Sequence, residues 1–351
     1  MDLQRLPERP DDWDVRIRDF SSKTLFHESA WLDYVRAIRP RSVLEYYEIR
    51  RNDRLEGYFC VVRVRRAFLS VFGSPLPGTG MYLGPLVSDG VNQAELGEAL
   101  LRLCHRGGIA CLELANNWLD PDIMIDLGFT SSRSVTHLCP LGDGKRVWSA
   151  MKGVCRTRIR KAMKSGLQAE LTDDVSAVED FYRFYSGVLR LKGRRPDYTI
   201  DHPRALQRHL GPADRLFSVR VTHQGKVIGT GFYPHDDTTM YFWDGASDPS
   251  CLRLCPNELL HWTAMQEAIR RGLTMFNMGG APRPSRFTRK FGGQDVPYSV
   301  YRRSFVPFLD TARALYHSLA GGRPRLSRDQ QRALKGALVA AAANCLATGL
   351  C

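Results

Sequence analysis

The order of predicted strands and helices constrains the fold of this chain more than any other feature of its sequence. Alternating apolar residues predict strands over 43–50 and 55–64, joined by a turn at Asn52-Asp53. The next predicted elements are a strand, a helix, a strand, a helix and a strand, over residues 81–87, 94–106, 110–115, 120–127 and 129–138. Because consecutive strands come before any helix, this order favours an α+β fold over a doubly wound one.

The second half of the chain repeats this order without visible sequence identity to the first half. Its predicted elements are a helix, three strands, a helix, a strand, a short basic helix and a strand, over residues 177–189, 216–222, 227–233, 239–244, 256–271, 274–278, 285–291 and 299–305. The segment 142–166 joins the two copies. We therefore predict two tandem domains, 1–147 and 148–305, and a helical extension over 306–351.

The charge of the chain indicates which partners it can bind. The sequence carries 50 Lys and Arg residues against 37 Asp and Glu residues, a formal net charge of +13. Such a surplus favours nucleic acid, phosphates or an anionic membrane, although an Arg-rich proteome would also produce a basic protein. The 43% hydrophobic and 25% charged residues are ordinary for globular proteins and exclude disordered and low-complexity classes.

The cysteines and the terminal segments predict a cytoplasmic protein with reduced thiols. None of the nine cysteines forms a CxxC pair, and the polar N-terminus has no apolar signal core. Cys251, Cys255 and His261 lack the spacing of a common zinc site, so we expect no metal. The Ala-rich segment 336–350 is shorter than the ~20 apolar residues that span a bilayer, which predicts a docked helix and no transmembrane segment.

A strongly basic segment connects the two copies. From residue 145 to residue 166 it holds no acidic residue, and its cations are Lys145, Arg146, Lys152, Arg156, Arg158, Arg160, Lys161 and Lys164. On a helix, Arg156, Arg160 and Lys164 would stack on one face and repel each other by roughly 0.2–0.5 kcal/mol per pair, which a bound phosphate would relieve. The alternative is a solvated helix face. A second basic cluster favours a large anionic substrate, and its members are Arg283, Arg286, Arg289, Lys290, Arg302 and Arg303.

Three segments of the chain carry recognisable motifs. The first is Phe-His-Glu-Ser-Ala-Trp at residues 26–31, and the second is Arg-Thr-Arg-Ile-Arg-Lys-Ala-Met-Lys-Ser-Gly at residues 156–166. The third runs from Leu259 through Phe-Asn-Met-Gly-Gly at 276–280 to Phe-Thr-Arg-Lys-Phe-Gly-Gly at 287–293. Together they resemble the Fem-type aminoacyltransferases, the FemABX family of the GNAT-like superfamily. The first resembles the opening motif of that family, the second its Arg-x-x-Ile-Arg-Lys-Ala-x-Lys-x-Gly segment, and the third its Tyr-Asp-Phe-Gly-Gly and Phe-Lys-x-x-Phe-Gly motifs.

The resemblance implies two tandem GNAT-like domains, with the C-terminal residues returning to the first one. It also implies transfer of an amino acid from aminoacyl-tRNA, as a co-substrate and without a cofactor, to the amine of a peptide. The implied acceptors are a secondary-metabolite peptide, a peptidyl nucleoside or a peptidoglycan precursor. We expect a monomer. Two alternatives are a GNAT-type N-acyltransferase that uses acyl-CoA and a non-catalytic protein that binds nucleic acid or an envelope precursor.

Two positions depart from the family pattern. Asn277 stands where the family usually has Asp, and Thr288 stands where it often has a Lys associated with the reaction. The role of that Lys therefore cannot be assigned to Thr288. Lys290 and Arg289 are near enough in sequence to replace it. This departure makes an acceptor other than a muropeptide more plausible.

The chemistry of an activated ester suggests which residues to look for. The acceptor amine attacks the ester carbonyl, and one donor aimed at the resulting oxyanion contributes ~3 kcal/mol. No nucleophile elbow or Ser/Cys-His arrangement is evident, so direct aminolysis is the simpler mechanism. Predicted catalytic residues are Lys290, Thr288, Asn277 and Asp244, of which Asp244 could orient or deprotonate the amine or could simply begin a turn. Predicted substrate-binding residues are Lys152, Arg156, Arg158, Arg160, Lys161, Arg283, Arg286, Arg289, Trp243 and Phe287.

The prediction of the acyl donor depends on a motif of acyl-CoA enzymes that the sequence lacks. An acyl-CoA enzyme normally carries an Arg/Gln-x-x-Gly-x-Gly/Ala loop, whose amides hold the pyrophosphate at a helix N-terminus. Residues 54–57, Arg-Leu-Glu-Gly, match its first letters but lie in a predicted hairpin. The sequence therefore favours aminoacyl-tRNA as the donor.

Overall fold

The computed structural model describes residues 1–66, 69–280 and 285–306. Its strands are β1 Asp2–Arg5, β2 Ser42–Arg51, β3 Arg54–Arg66, β4 Leu69–Ser74, β5 Pro85–Val87, β6 Ile109–Asn116, β7 Thr130–Pro140, β8 Leu167–Thr172, β9 Leu216–His223, β10 Lys226–Pro234, β11 Thr239–Tyr241, β12 Asp244–Ser247, β13 Met275–Asn277 and β14 Gln294–Ser304.

The helices of the described residues are α1 Trp13–Arg16, α2 Ser29–Ile38, α3 Gln93–Arg106, α4 Pro121–Asp126, α5 Gly144–Ala150, α6 Gly153–Lys164, α7 Ser176–Leu191, α8 Asp201–Leu210 and α9 Pro256–Arg270. Three 3-10 turns span Leu25–His27, Pro249–Leu254 and Thr288–Phe291. None of these helices is long and apolar enough to cross a membrane. The Ala-rich segment 336–350 and Arg283 lie outside the described residues.

The strands of the described residues form two sheets. One has the order β1-β2-β3-β4-β6-β14-β7-β13-β11, with β5 paired to β3, and the other has the order β12-β10-β9-β8. Strand β14 is antiparallel to both of its neighbours, so that Ser299 lies opposite Asn116 on β6 and opposite Arg133 on β7. The last strand of the second copy thus lies inside the sheet of the first copy. The division into domains at residue 147 stays a prediction, but the sheet continues across it.

The predicted strand over 239–244 crosses from one sheet to the other. Its first part, β11, pairs in parallel with β13, and its continuation, β12, pairs antiparallel with β10. Between them the Phe242 amide donates to the Asn277 carbonyl at 2.9 Å, whereas the Trp243 amide donates to the Phe232 carbonyl at 3.1 Å. The chain therefore leaves the first sheet after Phe242 and joins the second sheet at Trp243, and the two sheets separate beyond this point. The candidate residues Asp244 and Asn277 flank this separation.

The two aromatic residues at the crossing contact different apolar clusters. Phe242 packs with residues of α6 and α9, whereas Trp243 packs with residues of α2, α7 and β10. Neighbours along an extended chain point in opposite directions, so this division is the expected one. The second cluster contains Tyr34 and Tyr82 of the first half together with Phe232 of the second half. Apolar packing therefore joins the two halves.

Several local expectations are corrected by the structure. The predicted helix over 285–291 is only the 3-10 turn Thr288–Phe291, which ends where Gly292 adopts φ 91°. The predicted strand over 81–87 is reduced to β5. The sequence did not predict helix α8. Its residues, DHPRALQRHL, include few apolar side chains, and Pro203 lies near the start of the helix. The predicted helix over 94–106 is confirmed as α3.

Candidate active site beside the strand crossing

Asp244 begins β12 and is the carboxylate nearest the point where the sheets separate. Its Oδ2 accepts a hydrogen bond from the Tyr198 hydroxyl at 2.5 Å, and its Oδ1 accepts one from the Gly245 amide at 2.7 Å. Burial raises the pKa of Asp244 above its usual range, although both hydrogen bonds act to lower it. A carboxylate with a raised pKa is a better proton acceptor than an ordinary one.

Aromatic side chains from both halves surround Asp244. The Trp243 indole donates to the Tyr34 hydroxyl of α2 at 3.3 Å, and its ring centroid lies 5.4 Å from that of Tyr198. Tyr198 in turn stacks on Tyr185 of α7 at 4.8 Å. The predicted residues Trp243 and Asp244 therefore lie together, in a wall that includes three tyrosines that the sequence did not single out.

Asn277 is a buried residue whose polar atoms are all engaged. Its Oδ1 accepts from Thr136 Oγ1 at 2.5 Å and from the Gly279 amide at 3.0 Å, and its Nδ2 donates to the Tyr82 hydroxyl at 3.3 Å. Only 2% of the residue is exposed. These bonds tie β13 to β7 and to the first half. The arrangement suits a positioning residue better than the predicted donor to an oxyanion.

Lys290 lies apart from Asp244, among the residues that pack on α6 and α9. Its Nζ is 2.5 Å from Glu258 Oε1 and 3.8 Å from the centroid of the Phe287 ring, and its side chain is 6% exposed. Arg158 Nη1 donates to the same Glu258 oxygen at 3.0 Å. Burial would raise the pKa of Glu258, but the two cations outweigh it and hold that pKa below its usual range.

This ion pair changes the interpretation of Lys290. The residue was predicted as a catalytic cation because a flexible ammonium could reach a new position, and here the ammonium is buried and bound. The catalytic assignment stays a prediction, and the geometry favours a structural role. Glu258 was missed because its partners lie 100 and 32 residues away in sequence.

The other predicted residues of this loop lie at the surface. Arg289 is exposed and donates to Asp295, with 2.5 Å between Nη2 and Oδ2. The Thr288 hydroxyl donates to the Ser285 carbonyl at 2.9 Å and so stabilises the turn. Phe287 is half-buried against His261, and Arg286 is exposed. The structure therefore does not bring Thr288, Lys290 and Asp244 to one point.

The basic segment forms the two short helices α5 and α6, as the spacing of its cations suggested. Arg156 turns back and donates to the carbonyls of Ser149, at 3.0 Å, and Met151, so that it caps the end of α5. Arg158 binds Glu258, and Arg160 lies 5.3 Å above the Trp148 ring. Lys152 and Lys161 are exposed. The segment thus contains both structural cations and free ones.

The N-terminus of α9 lacks the features of a pyrophosphate site. This helix follows the crossing strand, from which only the 3-10 turn Pro249–Leu254 separates it. Its first residue, Pro256, has no amide hydrogen, and Glu258 places a carboxylate in the first turn. The preceding residues 248–255 contain no glycine, and Cys255 adopts φ 64°. Lys290 and Arg158 neutralise the Glu258 carboxylate, so this turn differs from a pyrophosphate loop by its missing Pro256 amide and its lack of glycine.

Comparison with known proteins places the fold in a recognised class. Residues 150–289 match the family model described as an acetyltransferase (GNAT) domain. The structure of FemX has a TM-score of 0.67 at 11% identity, and the match covers 84% of this chain and 96% of that one. No curated protein matches the sequence. The chain therefore has the predicted α+β tandem GNAT-like fold and resembles the Fem-type aminoacyltransferases.

Two further structures share this architecture at similarly low identity. A tandem GNAT protein from the clavulanic acid biosynthesis pathway has a TM-score of 0.56 at 12% identity, covering 86% of this chain and 98% of that one. L-PGS from Bacillus licheniformis has a TM-score of 0.53 at 12% identity, covering 90% and 98%. At these identities, structural likeness shows a shared fold only. Because acyltransferases have this fold, it supports the interpretation that the protein is a transferase.

Proposed function

We propose that this protein transfers an amino acid from aminoacyl-tRNA to the amine of a peptide-type acceptor and forms an amide. The observation that carries the proposal is the free cationic surface of α5 and α6. Six exposed cations there make neither an ion pair nor a side-chain hydrogen bond within the described part of the chain: Lys145, Arg146, Lys152, Arg160, Lys161 and Lys164. Unpaired cations along two adjacent helices suit a polyphosphate backbone.

Asp244 is the proposed proton acceptor of the reaction. The amine nitrogen bonds to the ester carbonyl carbon, and the bond between that carbon and the ribose oxygen breaks. The ionised Asp244 carboxylate takes the proton that the amine loses and returns it to the ribose oxygen as that oxygen leaves, so the carboxylate is ionised again at the end. Tyr198 holds the carboxylate in place through its hydroxyl. Positioning the two bound substrates can lower the barrier by about 7–11 kcal/mol.

The aromatic wall around Asp244 is the proposed acceptor site. The partly exposed Trp243 and Tyr198 combine ring faces with polar atoms, which suits an extended peptide-type molecule, and the buried Tyr34 accepts a hydrogen bond from the Trp243 indole. The names of FemX and L-PGS support this class of chemistry without identifying the acceptor. A secondary-metabolite peptide, a peptidyl nucleoside and a peptidoglycan precursor remain the proposed acceptors. Because charged tRNA is made in the cytoplasm, we also propose a cytoplasmic, monomeric enzyme.

Acyl transfer from coenzyme A is the second candidate function. The match of residues 150–289 to the acetyltransferase domain favours it. The N-terminus of α9 argues against it in the second half, because Glu258 and Pro256 occupy the first turn. In the first half the corresponding helix α3 has its Ala94 and Glu95 amides capped by the Asn92 side chain. The start of α3 therefore has fewer free amides for a pyrophosphate, and α9 begins with a residue that has no amide hydrogen.

The test supplies the purified protein with total aminoacyl-tRNA and a mixture of small peptides, and new amides are detected by mass. Product is expected with charged tRNA and is expected to disappear with RNase-treated or deacylated tRNA. The Asp244→Asn protein is the matched control for the proposed site. Product with acetyl coenzyme A in place of charged tRNA would support the second candidate. The absence of any tRNA-dependent amide would contradict the proposal.

A further inference from the structure

A second site of interest is an open cleft between α5 and α9. Its volume is about 720 Å³, and it is lined by Trp148, Ser149 and Lys145 on one side and by Trp262 and Gln266 on the other. The two indole rings lie 4.9 Å apart with an angle of 58° between their planes. Both tryptophans are half-buried. Both indoles pack against the apolar cluster of α6 and α9 on one side and are partly exposed to the cleft on the other.

The charges around this cleft are mostly positive. The Arg160 guanidinium lies 5.3 Å from the Trp148 ring, and Lys145 lines the cleft itself. Arg146, Lys161 and the other free cations of α5 and α6 extend this surface, whereas Asp143 is the acidic residue of the lining. Ser149 and Gln266 add groups that can both donate and accept hydrogen bonds. The cleft therefore combines ring faces, planar cations and adaptable polar groups.

We propose that the Trp148–Trp262 cleft binds an unpaired base of a single-stranded RNA segment. This inference rests on the proposed function and names the part of the donor that the site contacts. Aromatic side chains beside a positive surface are the usual means of holding single strands, since bases stack on rings while phosphates meet cations. A peptide would not require the free cations, and a duplex would offer no base to stack. The cleft is distinct from the proposed Asp244 site, because Asp244 is not among the residues that line it.

The test measures binding of a fluorescein-labelled RNA hexamer that ends in CCA, by fluorescence anisotropy. Trp262→Leu and Trp148→Leu are each expected to weaken binding about 10-fold, whereas Trp262→Phe retains most of the affinity. Trp118→Leu is the matched control, because Trp118 lines a different cleft in the first half. The slope of log affinity against log salt should not change in the tryptophan variants, because phosphate contacts remain. A hexamer of abasic residues should bind the unaltered protein about 10-fold more weakly than the natural hexamer.

The outcomes separate this inference from the proposed function. The hexamer carries no amino acid, so its binding does not depend on whether the protein forms amides. Equal affinity for natural and abasic hexamers would overturn the inference even if charged tRNA is the donor. Normal binding of the hexamer by Trp262→Leu would also overturn the inference, provided that the melting temperatures of Trp262→Leu and Trp262→Phe show an intact fold. Displacement of the hexamer by coenzyme A alone would assign the cleft to an adenine-containing cofactor and would also overturn it.

Discussion

At the scale of single residues, the Asp244–Tyr198 pair leads to a prediction about rate and pH. Asp244→Asn should lower kcat at saturating substrates by about 100-fold or more, because a positioned base is lost. The activity needs the ionised carboxylate, and burial raises its pKa, so the acidic limb of the kcat–pH profile should lie above the ordinary Asp range. The Tyr198 hydroxyl stabilises the ionised form, so Tyr198→Phe should move that limb to still higher pH.

The control for this prediction is Asp197→Asn. Asp197 is exposed and lies next to Tyr198 in sequence, so its removal changes nearby charge without breaking the pair. Its kcat should be near that of the unaltered protein. A Tyr198→Phe profile with an unmoved acidic limb would show that Asp244 is not the group that titrates.

The buried pair of Lys290 and Glu258 leads to a prediction about stability. Lys290→Ala leaves the buried Glu258 carboxylate with one cationic partner, the half-exposed Arg158. The substitution should therefore lower the free energy of unfolding by about 3 kcal/mol. The folded-state pKa of Glu258 is lowered, so its contribution is complete above the ordinary Glu pKa and is lost as pH falls through the lowered value. The difference between the two proteins should therefore be largest at neutral pH and shrink on acidification.

Urea unfolding at several pH values measures this difference. Arg289→Ala is the matched control, since it breaks the exposed pair with Asp295 and should cost less than about 1 kcal/mol. If Lys290→Ala instead kept full stability and lost turnover at saturating substrates, the residue would be the catalytic cation that the sequence suggested.

At the scale of elements, the basic helices lead to a prediction about salt dependence. Sequence alone would group Arg156 with Arg160, but Arg156 donates to the carbonyls at the end of α5. Arg160→Ala should therefore weaken tRNA binding and flatten the slope of log affinity against log salt by roughly 0.7–0.9, the loss of one phosphate contact. Arg156→Ala should leave the slope unchanged and lower stability by roughly 1 kcal/mol.

Binding of total tRNA between low and moderate salt, together with melting temperature, checks both variants. Lys164→Ala, on the same face of α6, should behave as Arg160→Ala does. A flattened slope in Arg156→Ala would mean that its guanidinium leaves α5 when RNA binds.

The elements also show which features a sequence can specify. Helix α3 follows from local periodicity, because it presents one apolar face, and β2 and β3 follow from their runs of aromatic and β-branched residues. The crossing at Phe242 and Trp243 has no local signal, because residues 240–243 form one uninterrupted apolar run. The burial of Lys290 depends on Glu258 of another helix, and charges in a basic run are normally placed at the surface. Asp244 was chosen as a site candidate by its position, and that assignment stays a prediction, whereas Tyr198 lies between helices in a segment without periodicity.

At the scale of the whole molecule, two features join the halves. Strand β14 pairs with both β6 and β7, so the second copy completes the sheet of the first. A buried charge cluster adds to this, because Glu28 of the first half accepts from Lys23 at 2.7 Å and from Arg215 of the second half at 2.6 Å. Sequence order cannot show either feature, because pairing between distant strands depends on the complete fold. The chain should therefore unfold as one cooperative unit.

The last prediction tests this cooperativity through Glu28. The Glu28 side chain is 5% exposed, so Glu28→Gln leaves two cations partly unpaired and should lower the free energy of unfolding by about 3 kcal/mol. Asp237→Asn is the control, because Asp237 binds the same two cations but its side chain is 56% exposed, and the expected loss is below about 1 kcal/mol. Ellipticity and the fluorine signals of labelled Trp13 and Trp148, one in each half, should give coincident urea transitions in all three proteins. Separate transitions for the two tryptophans would show that the halves unfold independently despite the strand that they share.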